Sequence, residues 1–408
     1  YLRMEPHLPD RTRREFEAIQ HRKARHERHN AGSAELAFEK AAGGPAMVQH
    51  LGQPMRVFTE VDPQWSWGER IHFALTHYAP VWVEFVDSAA EADVVIAHIV
   101  GKKEADIVLN FVNLTSLPPP VVSIQHVLET GGAPREHFST TWKASMLTVS
   151  FHDLAADAQR EGFDFYAMPW GADGDLFVPS TALRDGVLIT GSDAVEESHG
   201  EVLFAAAHAK LQVRHIGGGA PTVCEACPDG ELIAGAKGAK GEAPLLCQRL
   251  KNLDGQAPCA WYKFLGRVSD EQLVDELQHA RYISTLRKKE GFEIFGVEGL
   301  FCGARPLVYN ISTYRWYDGH AEFIPPDASG FDTFLALVGV LQRKPKPVSH
   351  EELATLHRKF GWDSIVPALY ERILRSLISH FGRLGRTLEP QGQEEVSRSD
   401  LKGDTSEF

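Results

Sequence analysis

The sequence predicts an α/β fold with two Rossmann-like halves, and three observations support this class. The chain has 408 residues, of which 43% are hydrophobic, enough to bury two cores of ordinary size. From Pro54 onward, short β-branched runs alternate with segments of helical spacing, an order typical of parallel sheets covered by helices. The alternation starts again at Val187, so we expect a second sheet of the same kind.

In the first half, β-branched and apolar runs predict the strands, and helical spacing of apolar residues predicts the helices. The strands are expected at Arg56–Glu60, Val81–Val86, Val94–Ile99, Ile107–Val112, Val121–Gln125 and Met146–Ser150. The helices are expected near Gly68–Tyr78 and Asp153–Glu161.

The second half repeats this order of elements. Its strands are expected around Val187, Val213, Tyr262, Tyr282 and Pro306. Ser269 is a predicted N-cap, since a polar residue of this type precedes a helical segment. A further helix is expected from about Glu293 to Cys302, closed by Gly303 at its C-terminal end.

A loop with two flanking glutamates is the main candidate for a binding site. Glu290 and Glu298 lie on either side of a turn in which Gly291 allows the backbone to approach a ligand closely. The turn opens the helix described above, and free N–H groups at a helix start hold anions. The groups expected to point at an anion belong to Phe292, Glu293 and Ile294. On spacing alone, two such acids also fit an ordinary solvated helix.

The residues around this loop resemble the E-x7-E signature of retaining GT-B glycosyltransferases of the family 4 type. Here the signature reads Glu290-Gly-Phe-Glu-Ile-Phe-Gly-Val-Glu-Gly-Leu-Phe-Cys-Gly-Ala-Arg-Pro306. Three further segments resemble the family's motifs in the expected order. They are Pro169–Pro179 (P-x-G-V-D-x-x-x-F-x-P), Val213–Gly219 (I-x-G-x-G) and Phe264–Leu273 (F-x-G-x-V-S).

The resemblance implies a GT-B fold, in which two Rossmann-like domains face each other across a cleft and a C-terminal helix crosses back. It implies a retaining hexosyltransferase that takes a UDP- or GDP-sugar as donor and needs no catalytic metal. Glu290 and His126 would hold the transferred sugar, and Glu298 would hold the ribose. The sequence specifies neither the acceptor nor the oligomeric state.

Other residues enter the predicted site by matching the family's positions. His126 follows the strand Val121–Gln125, and polar groups at that end of a strand lie where ligands bind in open α/β sheets. Gly68 corresponds to the glycine-rich first loop. Arg267 and Val268 follow the glycine of the F-x-G-x-V segment, so they are candidates for the rim of the nucleobase site.

The chain departs from the family where cations normally neutralise the donor diphosphate. The family's Arg and Lys are replaced by Ser192 and His199. Helix dipoles worth about half a charge are insufficient for a diphosphate, so other cations are required. The candidates are Arg267, Arg287, Lys288, Lys289 and a protonated His199. The alternative is a non-catalytic relative that binds sugar nucleotides.

The domain organisation follows from these motifs. We predict a basic arm over residues 1–45, an acceptor domain over 46–180, a donor-binding domain over 181–355, helices crossing back over 356–386 and a disordered tail over 387–408. The arm carries seven Lys or Arg against three Glu between Arg11 and His29. It is either a solvated helix or a surface for nucleic acid or a membrane, and nucleic acid would suggest a DNA-modifying glycosyltransferase of the viral type.

A cysteine-containing insertion is predicted over residues 220–260. Cys224, Cys227, Cys247 and Cys259 could hold one structural zinc ion, and free thiols or a disulfide are the alternatives. Five cysteines without an even secretory framework, and no recognisable signal peptide, predict a cytoplasmic location. The net charge of −13 argues against a surface that binds nucleic acid or anionic lipid over its whole extent.

Overall fold

The computed structural model of the protein describes most of the chain between residues 54 and 383. The described ranges are 54–60, 68–114, 118–126, 135–151, 158–191, 199–217, 261–287, 292–326 and 330–383. The predicted basic arm, the cysteine-containing insertion and the polar tail lie outside these ranges.

The first lobe is built on a parallel sheet of six strands. These are β1 (Met55–Glu60), β2 (Val83–Phe85), β3 (Val94–Ile99), β4 (Val121–Gln125), β5 (Leu147–Ser150) and β6 (Phe165–Ala167), in the order β2-β1-β3-β4-β5-β6. The connecting helices include α1 (Gly68–His77), α2 (Lys102–Leu114) and α3 (Arg135–Ala144). Strand β6 was not predicted, and the other strands of this sheet lie within or close to their predicted ranges.

The predicted strand Ile107–Val112 is wrong, because these residues belong to α2. Ala105 and Val108, three positions apart, face the core beneath the helix, whereas Ile107 is 57% exposed. This is the spacing of one helical face, and a short apolar run does not by itself distinguish it from a strand.

The second lobe is built on another parallel sheet of six strands. These are β7 (Asp185–Thr190), β8 (Val213–Ile216), β9 (Tyr262–Gly266), β10 (Ala280–Ser284), β11 (Arg305–Tyr309) and β12 (Glu322–Ile324), in the order β12-β11-β10-β7-β8-β9. The helices of this lobe include α4 (His199–His208), α5 (Asp270–His279), α6 (Ile294–Cys302) and α7 (Gly330–Leu341). The predicted boundary near residue 180 lies between the two sheets.

Each sheet has one point where the strand order reverses. In the first lobe this point lies between β1 and β3, and in the second between β7 and β10. Ligands of open parallel sheets bind beyond the carboxyl ends of the strands at such points. Helix α1 follows β1 and helix α6 follows β10, so both helices begin at a reversal point.

The C-terminal helices return the chain to the first lobe. Helix α8 (His350–Phe360) is followed by α9 (Trp362–Arg383). On α9, the Tyr370 hydroxyl donates to the Leu75 carbonyl of α1 at 3.1 Å, and Ser376 donates to Asp164 at 2.9 Å. The predicted crossover is therefore confirmed. Within the described part of the chain, no helix combines the length and apolar content that crossing a bilayer would need.

Candidate functional site

The start of α6 matches the prediction from sequence. Its N-cap is Glu293, whose side chain makes no capping hydrogen bond, and its C-cap Gly303 has a φ of 89°. A φ of this sign strains any residue with a Cβ, so the glycine ends the helix. The first turn of α6 therefore offers its backbone N–H groups at the reversal point of the second sheet.

Helix α6 packs against the Ile283 side chain of β10, the strand from which it emerges. A Cβ added to Gly299 would lie 2.0 Å from the Cδ1 atom of Ile283, so a larger residue there would require the Ile283 side chain to move. Glu298 directly precedes Gly299 in the chain. The Glu298 side chain lies at the boundary between the lobes, where it is 3% exposed.

The buried Glu298 carboxylate is paired with an arginine of the opposite lobe. Arg70, in the first turn of α1, donates from Nη1 to Glu298 Oε1, and from Nη2 to Asp270 Oδ1 at 2.9 Å. Burial raises the pKa of Glu298, and the charge of Arg70 acts in the opposite direction. We call Arg70, Asp270 and Glu298 the Arg70 cluster.

A second polar group lies at the carboxyl end of the first sheet. His98 Nδ1 is 2.9 Å from His126 Nε2, and His98 Nε2 is 3.4 Å from the Thr59 hydroxyl. Both imidazoles are buried, and burial lowers the pKa of His98 to about 3 and that of His126 well below its ordinary value. Two neutral rings therefore share this hydrogen bond, in which one ring donates and the other accepts.

His126 is enclosed by aromatic rings near the joint between the lobes. Its ring stacks on Trp170 at 5.8 Å and lies 5.8 Å from Phe151. Phe151 in turn lies 5.9 Å from Phe292, the residue that precedes the N-cap of α6. Phe151 thus connects His126, the predicted sugar contact, with the start of α6, the predicted phosphate-binding turn.

The remaining predicted residues lie in different places. Gly68 is the first residue of α1, two residues before Arg70. Arg267 and Val268 lie in the turn between β9 and α5, before the confirmed N-cap Ser269. They line an open pocket of about 470 Å³ along α5, whose acidic residues Glu271, Asp275 and Glu276 do not favour phosphate. The start of α6 is therefore the better candidate for the position of the donor diphosphate.

Several predicted residues lie outside the described part of the chain. These are Glu290, Gly291, Ser192, Lys288, Lys289, the side chain of His199 and the four cysteines Cys224, Cys227, Cys247 and Cys259. Arg287 is described, and its Nε lies 3.7 Å from Glu293 Oε2. The structure describes no cluster of three or more His, Cys, Asp or Glu side chains able to hold a metal ion within the ranges given above.

Reasoning from the sequence missed three residues of this region. Arg70 and Asp270 each occupy the first turn of a helix next to a predicted site residue, Gly68 in one case and Val268 in the other. His98 lies at the carboxyl end of a correctly predicted strand. Their positions beside predicted elements were the only sign of them in the sequence. The pairing of Arg70 with Glu298 could not be read from it, because 228 residues separate the two.

Solved structures share this fold, although sequence comparison identifies no family. No family model matches the sequence, and no curated protein matches it. Sucrose-phosphate synthase from Thermosynechococcus elongatus is similar with a TM-score of 0.54 and 11% identity, over 80% of this chain and 100% of that chain. An α,α-trehalose-phosphate synthase (UDP-forming) from Burkholderia vietnamiensis has a TM-score of 0.50 and 11% identity, over 72% of this chain and 74% of that chain. The fold is therefore GT-B.

Proposed function

We propose that the protein is a retaining glycosyltransferase that moves a sugar from a nucleoside-diphosphate sugar to an acceptor hydroxyl. The observation that carries this proposal is the position of Glu298. It lies on the helix that starts at the reversal point of the second sheet, and it is enclosed against the first lobe. An ionised carboxylate is costly to bury, so its retention there suggests a binding role.

The donor would lie along α6. The Glu298 carboxylate would accept hydrogen bonds from the ribose hydroxyls, and the amides of Phe292, Glu293 and Ile294 would face the diphosphate or the sugar. Glu298 follows Ile294 by four residues, about 6 Å along a helix axis. A nucleotide can therefore extend from the carboxylate to the start of the helix.

Glu290 and His126 would hold hydroxyl groups of the transferred sugar. A neutral imidazole suits this task, because it can accept from or donate to a sugar hydroxyl without attracting the diphosphate. The anomeric carbon would pass through an oxocarbenium-like state, and the leaving phosphate would take the acceptor's proton on the same face. Positioned amides and cations would stabilise the charge that develops on the phosphate.

The donor can be identified by thermal shift with UDP-, GDP- and ADP-sugars. A ligand that binds only the native state raises the melting temperature, so the cognate donor should give the largest rise. UDP-sugars are the first to test, since one structural relative is described as UDP-forming. If no sugar nucleotide shifts the transition, the proposed donor class is wrong.

The ribose assignment is tested with Glu298→Gln, which keeps the shape of the side chain and removes its charge. Hydrogen bonds to a charged group contribute about 1.5–3 kcal/mol, so we expect about 10- to 100-fold weaker donor binding. Glu351→Gln is the control, because Glu351 is an exposed acid on α8. Full affinity in Glu298→Gln would contradict the assignment.

A sugar-nucleotide-binding protein without turnover is the second candidate. The replacement of the family's two cations by Ser192 and His199 favours it, because a leaving diphosphate needs positive charge. The two candidates differ in one measurement. A transferase hydrolyses the cognate donor slowly without acceptor, whereas a binding protein returns it intact after prolonged incubation.

A further inference from the structure

The Arg70 cluster differs from an ordinary structural ion pair because it has two acidic partners for one arginine. One guanidinium is divided between two carboxylates that both belong to the opposite lobe. The Arg70 side chain is 34% exposed and that of Asp270 is 40% exposed, whereas Glu298 is buried. Arg70 is thus reachable from solvent while it neutralises a carboxylate that is not.

Arg70 occupies the position proposed for the ribose. A buried carboxylate needs a partner, and in the structure this partner is Arg70. Ribose hydroxyls can replace it, because they donate hydrogen bonds to the same carboxylate oxygens. The contact with Asp270 is an ion pair that is partly open to solvent, and screening by solvent limits what such a pair contributes. Arg70 can therefore leave both acids when a nucleotide arrives.

The donor diphosphate lacks cations at the two positions where the family provides them. Ser192 and His199 stand there, and Arg287 already has the Glu293 carboxylate within 3.7 Å. Arg70 lies next to Glu298, about one helical turn from the start of α6. A guanidinium also binds phosphate through two parallel hydrogen bonds, which suits a diphosphate better than a single ammonium.

We infer that Arg70 is the diphosphate-binding cation of this protein, supplied by the first lobe and held on Glu298 and Asp270 until the donor binds. This inference rests on the proposed function. Donor binding exchanges partners: the ribose takes Glu298, and the guanidinium takes the diphosphate. The contact between the lobes then passes through the donor.

The test measures binding of uridine, UMP and UDP by calorimetry, with the matching purine series if the donor panel selects another base. In the wild type, affinity should rise with each added phosphate. In Arg70→Gln, UDP should bind about 10- to 100-fold more weakly, because a charge-assisted bidentate contact is lost. Uridine should bind equally well or better, because Arg70 no longer occupies Glu298. Arg70→Lys should give an intermediate loss for UDP.

For Asp270→Asn we expect the opposite change in UDP affinity. Weakening the resting contact raises the fraction of protein in which Arg70 is available, so UDP should bind about two- to fivefold more tightly. A purely structural role for Asp270 would weaken binding instead. Arg56→Gln is the matched control, because Arg56 pairs with Asp93 at 2.9 Å within the first lobe. Arg56→Gln should leave the affinities for uridine, UMP and UDP unchanged.

The outcomes separate this inference from the proposed function. If wild-type protein binds UDP and Arg70→Gln binds it equally well, Arg70 is not the diphosphate cation, although the donor assignment stands. If Arg70→Gln weakens uridine and UDP by the same factor, Arg70 only supports the fold of the site. If wild-type protein binds none of the nucleotides, the proposed function fails together with the inference.

Discussion

Two arginine–glutamate pairs, one within the second lobe and one between the lobes, have the same chemistry and different surroundings. In the first pair, Arg305 of β11 binds Glu352 of α8 through both ends of its fork, at 2.5 and 2.8 Å. In the second pair, Arg70 divides its fork between Glu298 and Asp270. The Arg305 and Glu352 side chains are 6% and 12% exposed, whereas Arg70 is 34% exposed.

The two pairs differ in how many hydrogen-bonding partners the arginine and the glutamate keep if one of their contacts is lost. Arg305 also donates from Nε to the Lys346 carbonyl at 2.9 Å, and His320 Nδ1 lies 2.9 Å from Glu352 Oε1. All of these contacts of Arg305 belong to one lobe, so a ligand could replace them only if that lobe unfolded. Arg70 joins two lobes and has an open side. A closed network stabilises a fold, and an open pair between lobes can be exchanged for a ligand.

The largest effect that follows from this comparison concerns stability. Glu352→Ala should lower the free energy of unfolding by about 3–5 kcal/mol, because it leaves Arg305 buried without its counter-charge. Arg70→Gln should cost about 1–3 kcal/mol in the same urea titration, less than Glu352→Ala, because the glutamine amide can still donate a hydrogen bond to the buried Glu298. A larger loss in Arg70→Gln than in Glu352→Ala would reverse the comparison.

The pH dependence of stability should distinguish the same two pairs. The hydrogen bonds from Arg305 and His320 lower the pKa of Glu352 to about 2, despite its partial burial. A depressed pKa stabilises the fold above the unfolded value of about 4.3, and this contribution is lost as the pH falls toward about 2. The stability difference between wild type and Glu352→Gln should therefore shrink across that window. A constant difference would show that the Glu352 charge is not responsible.

The smallest effect concerns the geometry of the fork. Arg305→Lys should lose about 1–2 kcal/mol, because one ammonium cannot bind both Glu352 oxygens and the Lys346 carbonyl at once. Arg70→Lys should lose less than about 1 kcal/mol of stability. Equal losses at the two positions, measured by chemical denaturation, would mean that the Arg70 cluster is as rigid as the closed network.

Local features of the fold were predictable to within a few residues. The N-cap Ser269, the C-cap Gly303 and the bounds of α6 agree with the structure, because capping depends on residues that are adjacent in the chain. The strand predicted at Ile107–Val112 failed for the converse reason. Whether a short apolar run forms a strand or a helix depends on the surface that it packs against.

The candidate site was only partly predictable. Glu298 and His126 were identified from motif positions, and their roles remain proposals. Their partners Arg70 and His98 were missed, because neither pairing is local: 228 residues separate the first pair, and 28 separate the second. No spacing rule connects residues on different strands or lobes.

The sequence by itself determined the α/β class, the repetition of the Rossmann-like pattern and the start and end of the helix that carries Glu298. These properties follow from periodicity and capping, which act over a few neighbouring residues. Only the tertiary structure decided that Arg70 meets Glu298 and Asp270, and that His98 meets His126. Such contacts arise when two sheets and the C-terminal helix α9 pack together, and burial then determines which charges must be paired and which imidazoles stay neutral.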